Sequence, residues 1–484
     1  MPLPLSRGFK AQTMGEYMTW NQTGRPRSLA PLLSSTLRQS VLLLVLAAIL
    51  LPVGQSQNRT ASAPEHWVTT WATSQLMAPA GAKGIGRPLT PTPPPAPPQG
   101  QTAAGQPSAQ PPFPGRGRGG AMQNDVPTTV NDQTIRMVVH TSIGGRRVRA
   151  QFSNAIEAAP LIIDSAHVAL RTKDSETAAG TDRKLTFNGK PGCTIQPGVI
   201  LLSDPVDLDV APLADLVVSI YLPKDTGPPS VHRLGLHTAY ISKGDTTGAH
   251  SMPEPVMTHS YLWLSSVDVW APAKTFAIVG LGDSITDGQG STMDSNHDWP
   301  SLLAKRLSTD KATSHIAVLN EGIGGNQVLR DGLGLSALAR FERDVLSRAG
   351  VQWMVLLEGI NDLNLYGAVP SAEGGLDSDD LIAGYRQLIE RAHSHGIKVV
   401  GATIMPEEGA RATSERGEGI RQALNNWIRT SRAFDATVDF DAAVRDPAHP
   451  AKLRAEFDSG DHIHLSNAGY GAVADAFDLS IFRK

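Results

Sequence analysis

Ser284 is the residue whose setting most directly suggests chemistry. It stands in Phe276-Ala277-Ile278-Val279-Gly280-Leu281-Gly282-Asp283-Ser284-Ile285-Thr286, an Ile- and Val-rich run halted by Gly-Asp-Ser. Such a run reads as a buried strand ending in a tight turn that presents a hydroxyl at the carboxyl edge of a sheet, where open α/β sheets place reacting groups. A serine hydroxyl is a weak nucleophile at neutral pH, so it needs a base, an acid to orient that base, and donors for a developing oxyanion. Asp461-His462-Ile463-His464 offers the first two. As one helical or 3₁₀ turn, the segment puts residues i and i+3 on a shared face, so Asp461 accepts from Nδ1 of His464 and leaves Nε2 for Ser284. His462 projects elsewhere and is the weaker candidate base.

Two further segments offer donors. Ile316-Ala317-Val318-Leu319 reads as a strand running into Asn320-Glu321-Gly322-Ile323-Gly324-Gly325-Asn326, where missing Cβ atoms let backbone N–H groups approach a bound oxygen. Gly325 is the preferred donor, with Gly324 next. The buried run Val351-Gln352-Trp353-Met354-Val355-Leu356-Leu357 delivers Glu358-Gly359-Ile360-Asn361-Asp362, and the Asn361 carboxamide can donate to the same oxyanion.

Taken singly, each segment has an ordinary structural reading: Ser284 as a helix N-cap, the glycines as a strand-to-helix turn, Asn361 and Asp362 as capping residues, Asp461 and His464 as a surface turn. Their occurrence in order, each but the last after an apolar run, favours one site. The four segments resemble the blocks of the SGNH, or GDSL-type, hydrolase superfamily: Gly282-Asp283-Ser284-Ile285 the first, the glycine turn after Asn320 the second, Gly359-Ile360-Asn361-Asp362 the third and Asp461-His462-Ile463-His464 the last. The resemblance covers roughly residue 275 to the C-terminus. It implies a three-layer α/β/α domain that hydrolyses carboxylic esters, with Ser284 as nucleophile, His464 as base and Asp461 as its orienting acid. The implied oxyanion hole is the Ser284 N–H with Gly325 and Asn361.

Other signatures are absent. Position 286 is Thr where the Gly-x-Ser-x-Gly elbow requires Gly, and neither a Gly-x-x-x-x-Gly-Lys-Ser/Thr loop nor a His-Glu-x-x-His helix occurs. No cofactor or metal is required by this chemistry.

The elements that must position these residues are legible around them. Helical patterns fall at 299–307, 335–347, 378–395, 419–431 and 467–477, with further strands at 397–404 and 438–440. Alternation of this kind predicts a parallel sheet covered on both faces. Residues 131–267 instead alternate with period two, as in Val148-Arg149-Ala150-Gln151-Phe152-Ser153, and predict an all-β sandwich or jelly roll. His232 and His237 fall there and read as structural. The expected division is an extension and signal peptide at 1–63, a β-rich accessory domain at 64–268 and the hydrolase domain at 269–484. Residues 78–122 are crowded with Pro, Gly, Ala and Gln and cannot bury a core. Because Trp67 to Ala72 reads as a strand, that segment is expected to be an insertion after the first strand; a linker to a surface structure is the rival.

The chain has 484 residues, 40% of them hydrophobic, which suits two domains plus tails. A net charge of −3 without a long basic run gives no argument for nucleic acid. The single cysteine, Cys193, excludes an intramolecular disulfide and reads as a buried apolar residue. An apolar stretch at about 41–53 follows Arg38 and contains Pro52, matching a signal-peptide core too short to span a bilayer comfortably. Cleavage after Ser56 or Ala63 would leave no membrane span, and a periplasmic or secreted location follows; an N-terminal anchor is the rival. The roughly 40 residues before it are long for such a signal, so Met14 or Met18 are alternative starts.

The expected function is an exported serine esterase acting on short acyl or acetyl esters of a small molecule or polysaccharide. Trp299 and Trp353 are candidate sugar-stacking residues, though Trp353 falls in a buried strand. The alternatives are a lipase, lysophospholipase or acyltransferase of the same fold, and, from another class, a non-catalytic surface-binding protein.

Overall fold

Val138 on one side and Ile135, Met137 and Val139 on the other show how the strand-rich region forms. The strand Gln133–His140 turns alternate side chains to opposite faces. Ile135, Met137 and Val139 join the main core, while Val138 joins Ala169, Val217, Tyr240 and Met252 in a smaller cluster. The computed structural model describes residues 64–76, 125–157 and 159–483. The predicted signal at 41–53, the extension around it and the Pro/Gly-rich segment at 78–122 lie outside these residues.

Two antiparallel sheets make up most of the region. One runs Glu65–Ala72, Leu264–Pro272, Gly145–Ser153, Ile200–Leu202, with Val206–Val210 also paired to Gly145–Ser153. The other runs Val256–Thr258, Ala239–Lys243, Gln133–His140, Asp215–Leu222, Ser165–Leu170, Arg183–Lys184. The strand read at Trp67 to Ala72 is present, and Trp67 faces Trp270 across its antiparallel partner.

The C-terminal region is built on a parallel sheet of five strands in the spatial order Ile316–Gly322, Phe276–Gly282, Val351–Leu357, Lys398–Ala402, Ala436–Val438. The first strand in sequence is internal and the second lies at the edge beside it, so the connections diverge on either side of Phe276–Gly282. Open α/β sheets bind ligands in the crevice beyond the strand ends at such a switch point. Phe276–Gly282 is buried at every position, as a strand covered on both faces must be. The helices form two contact groups: Trp299–Ser308 with Asn467–Asp475 and Phe440–Val444, and Ala337–Phe341, Ile360–Tyr366, Ser378–Ser394 with Glu415–Thr430.

Local signals explain where element ends depart from expectation. The strand expected at 438–440 is Ala436–Val438, because the Asp439 side chain accepts from Ala442 N–H and starts a helix at Phe440. The helix expected from 419 begins at Glu415, capped by Ser414. The 335–347 pattern is an α-helix that widens into a π-helical turn, Glu342–Leu346. Cys193 is only partly buried, and burial pushes its thiol up to about 12.

The described residues form one compact unit, and one hydrophobic cluster runs from Val68 through Phe482. Strand Leu264–Pro272 crosses the expected 268/269 boundary, and the parallel sheet starts at Phe276. The seam is polar as well as apolar. Thr69 and Ala349 exchange hydrogen bonds of 3.0 and 2.9 Å, and the Ser74 hydroxyl donates to Glu321 Oε2 at 2.6 Å or Asp344 Oδ2 at 2.9 Å.

Arg340, with no solvent exposure, sits at the centre of this seam. It donates to the carbonyl oxygens of Gly282 at 2.8 Å and Glu321 at 2.7 Å, to Asn326 Oδ1 at 2.8 Å, to Ser74 Oγ at 3.0 Å and to Asp344 Oδ2 at 3.1 Å. Removing one partner of a buried ionic network leaves uncompensated charge and costs about 3–5 kcal/mol. Arg340→Met is therefore expected to lower unfolding free energy by about that amount in urea denaturation; a loss below about 1 kcal/mol would refute the central role.

Candidate active site

The serine turn forms because Asp283 caps a short helix. Asp283 is extended, its side chain accepts the Ile285 N–H at 2.9 Å, and Ser284 opens the helix Ser284–Asp287. Ser284 thus sits at the first helical position, where its N–H has no intrahelical acceptor. Packing holds the turn down from beneath. A Cβ on Gly280 would lie 2.9 Å from the Trp299 ring, which is fully buried and stacks on Phe477 at 5.7 Å. Trp299 is therefore a core residue beneath the serine turn and Trp353 a core residue of its strand, so neither is a sugar platform.

Ser284 Oγ lies 2.8 Å from His464 Nε2, and His464 Nδ1 lies 2.6 Å from Asp461 Oδ2. The Asp461 oxygen can only accept, so Nδ1 carries the proton and Nε2 is free to accept from the serine. Asp461 and His464 meet through a bend, not the helical or 3₁₀ turn expected for 461–464. His462 has φ 65°, which interrupts any helix. The Asp461 carboxylate rebuilds the turn by accepting the His464 N–H at 2.8 Å and the Ile463 N–H at 3.1 Å. Partial burial raises Asp461, but the His464 ring and these two N–H groups prevail and hold it well below the usual carboxylate range. His462 pairs with Asp458 at 2.6 Å instead, away from the serine.

The predicted donors converge on the same edge. Gly325 has φ 75°, a conformation that favours glycine. Among the described residues neither the Gly325 N–H nor the Ser284 N–H has a protein acceptor. Burial raises the Asp287 carboxyl, and the His232 ring and the nearby Gly324 N–H act against it. Asn361 lies in the first turn of Ile360–Tyr366, and its Nδ2 donates to the Asn326 carbonyl oxygen at 2.8 Å. One amide proton thus braces the glycine turn, and the other has no protein acceptor among the described residues.

Residues 281–472 match the family model described as GDSL-like Lipase/Acylhydrolase. This stretch is a GDSL-like lipase/acylhydrolase domain. Carboxylic ester hydrolysis is the reaction class that goes with it. Similar solved structures include an acetyl xylan esterase from Geobacillus stearothermophilus, 23% identical over 43% of this chain and 95% of that one, with a TM-score of 0.33. A GDSL-like lipase from Bacteroides thetaiotaomicron is 19% identical over 43% of this chain and 87% of its own, TM-score 0.31. The aryl esterase of M. smegmatis is 16% identical over 42% and 96%, TM-score 0.32. No curated protein matches the chain.

The domain's edge holds carboxyl groups that the sequence reading passed over. Glu407 follows the strand Lys398–Ala402, is buried, and accepts from Asn364 Nδ2 at 2.8 Å. Asn364 stands one helical turn after Asn361, a spacing that could have flagged it. Glu407 also lines a cavity of about 320 Å³ with Glu408, Thr413, Ser414 and Glu418. Burial pushes Glu407 up to about 7. Burial likewise raises Asp362 to about 6, against the Val328 and Leu329 N–H groups that it accepts. Burial raises Asp283 as well, and raises Glu358 well above its usual range, reinforced there by Asp283. Both Glu358 oxygens lack hydrogen-bond partners.

These shifts have one sign. A carboxyl whose folded value exceeds its unfolded value holds a proton that the unfolded chain releases, so stability declines as pH rises from about 4 through 7. The melting temperature is expected to be higher at pH 5.5 than at pH 7.5, and Glu407→Gln should narrow the difference. Calorimetry at the two pH values checks this; equal melting temperatures, or an unaltered gap in the variant, would contradict it.

Proposed function

We propose that the chain is an exported serine esterase working through Ser284, His464 and Asp461. The observation that carries the reading is the continuous contact from Ser284 Oγ to His464 Nε2 at 2.8 Å and from His464 Nδ1 to Asp461 Oδ2 at 2.6 Å. Ser284 Oγ attacks the ester carbonyl carbon as its proton passes to His464 Nε2, while the ionised Asp461 stabilises the imidazolium. The oxyanion accepts from the Ser284 N–H, the Gly325 N–H and Asn361 Nδ2. Collapse of the tetrahedral intermediate expels the alcohol, which takes the proton from Nε2 and leaves an acyl-serine. Water, deprotonated by His464, then releases the acid.

The substrate we favour is a short acyl or acetyl ester of a hydroxyl-rich alcohol. Four carboxyl groups, Glu407, Glu408, Glu415 and Glu418, surround the cavity next to Asn364 and are suited to hydrogen-bond hydroxyl groups, while most of the cavity's surface is apolar and suits a short acyl group. One observation favours the lipase-type alternative. Leu333, against which a Cβ on Gly325 would lie 3.0 Å, is 56% exposed, and Leu365, one turn from Asn361, is 55% exposed. Export rests on the apolar stretch at 41–53; N-terminal sequencing of the mature protein from culture fluid or periplasm tests it. No helix among the described residues is long and apolar enough to cross a membrane.

Hydrolysis of p-nitrophenyl esters from acetate to palmitate decides between the substrate readings: activity confined to short chains supports the first, a long-chain preference the second. Ser284→Ala is expected to lose about 10⁴-fold or more in kcat while keeping the wild-type melting temperature. Asn361→Ala should lose about 10² to 10³ in kcat with little change in KM. A serine variant with native activity would overturn the mechanism, and a pure KM effect would remove Asn361 from the oxyanion site.

A further inference from the structure

His232, from the strand-rich region, reaches the helix that begins with the serine. It lies in the two-residue strand Val231–His232, and both it and Asp287 are buried, with side chains 4% and 5% exposed. Its Nδ1 lies 2.6 Å from the Ser74 carbonyl oxygen. Its Nε2 lies 3.0 Å from Asp287 Oδ1 and 3.1 Å from the Leu234 carbonyl oxygen. Carbonyl oxygens only accept, so both ring nitrogens carry protons and an imidazolium faces the Asp287 carboxylate.

Asp287 closes the helix Ser284–Asp287 and touches the glycine turn. A Cβ on Gly322 would stand 2.1 Å from the Asp287 nitrogen, so the helix end packs directly on the turn, and the Gly324 N–H lies near enough to the Asp287 carboxyl to favour its charged form. The Ile323 N–H donates to the Gly282 carbonyl oxygen at 3.0 Å, drawing the same turn to the end of the serine strand. A carboxylate buried this deeply and left unpaired would take up a proton or draw in water, and the packing of the helix end against the glycine turn would loosen.

We propose that His232 is a positioning residue for ester hydrolysis: paired with Asp287, it holds the Gly324–Gly325 turn against the serine helix so that the Gly325 N–H meets the oxyanion. The strand-rich region thereby supplies part of the active site without touching substrate. This rests on the serine-esterase reading above.

Two substitutions separate positioning from packing. His232→Gln keeps a donor near the position of Nε2 and so the link to Asp287, whereas His232→Asn keeps only the link toward Ser74. In the full chain, with p-nitrophenyl acetate as substrate, His232→Asn is expected to lose about 10- to 100-fold in kcat with KM within about twofold. His232→Gln should retain most of the wild-type kcat. Affinity for a trifluoromethyl ketone, whose serine adduct places an oxyanion in the same donors, should fall in proportion to kcat in His232→Asn. Equal losses in the two variants, a loss confined to KM, or unchanged trifluoromethyl ketone affinity would overturn the proposal. Asp287→Ala, read in the same way, decides the matter if His232→Asn fails to fold. Wild-type protein no more active than Ser284→Ala would overturn the esterase reading, and this proposal with it.

Discussion

One guanidinium ties together segments that nothing in the covalent chain brings near one another. Arg340 holds the last carbonyl of the serine strand at Gly282, the Glu321 carbonyl near the end of the neighbouring strand, Asn326 beyond the glycine turn and Ser74 from the strand-rich region. Its planar fork has five donors in fixed directions, a set that the point charge of a lysine could not reproduce. Asn326 passes the constraint on, because its own carbonyl oxygen accepts from Asn361. The serine, the glycine turn and the asparagine are thus located relative to one buried cation. The seam between the two regions serves the same end, with Arg348 bridging Glu321 and Gln151 across it.

Burial sorts the carboxyl groups around the serine into two kinds. Asp283, Glu358, Asp362 and Glu407 are all pushed upward, chiefly because burial penalises their charged forms. Asp461 is half-exposed, bonded to His464 and to two N–H groups, and is held down. Environments that drive neighbouring acids apart assign them different tasks. The carboxylate that stays charged is the one in contact with the imidazole, where a negative charge stabilises a transient imidazolium. Accumulated charge among the others would repel it and raise the energy of the buried serine turn.

Much of this was legible along the chain. Buried strands at Phe276, Ile316 and Val351 announce themselves by Ile, Val and Leu runs closed by Gly, Asn or Glu-Gly, and period two marks the antiparallel region. The three blocks carrying Ser284, Gly325 and Asn361 lie on strand-to-helix loops, and the last, with Asp461 and His464, lies between the helices Phe440–Val444 and Asn467–Asp475. What escaped has physical causes. Trp299 could not be told from a surface aromatic until the helix Trp299–Ser308 was seen to turn it beneath Gly280. The bend at 461–464 was misread as helical because φ 65° at His462 leaves no trace in residue type. Glu407 and Arg340 are charged residues that usually face solvent, so their burial has no local signature.

The sequence by itself determined the class of fold, the order of the elements and the residue types available for chemistry, because periodicity, turn residues and capping act within a few positions of one another. Tertiary structure alone decided which of them meet. Ser284 and His464 are 180 positions apart, and Ser74 and Arg340 266 apart. His232 and Asp287 come from regions with different periodicities. Such contacts depend on how two sheets and their helices share one core, and on the penalty for leaving a buried charge unpaired. Neither quantity is written in any local stretch of the chain.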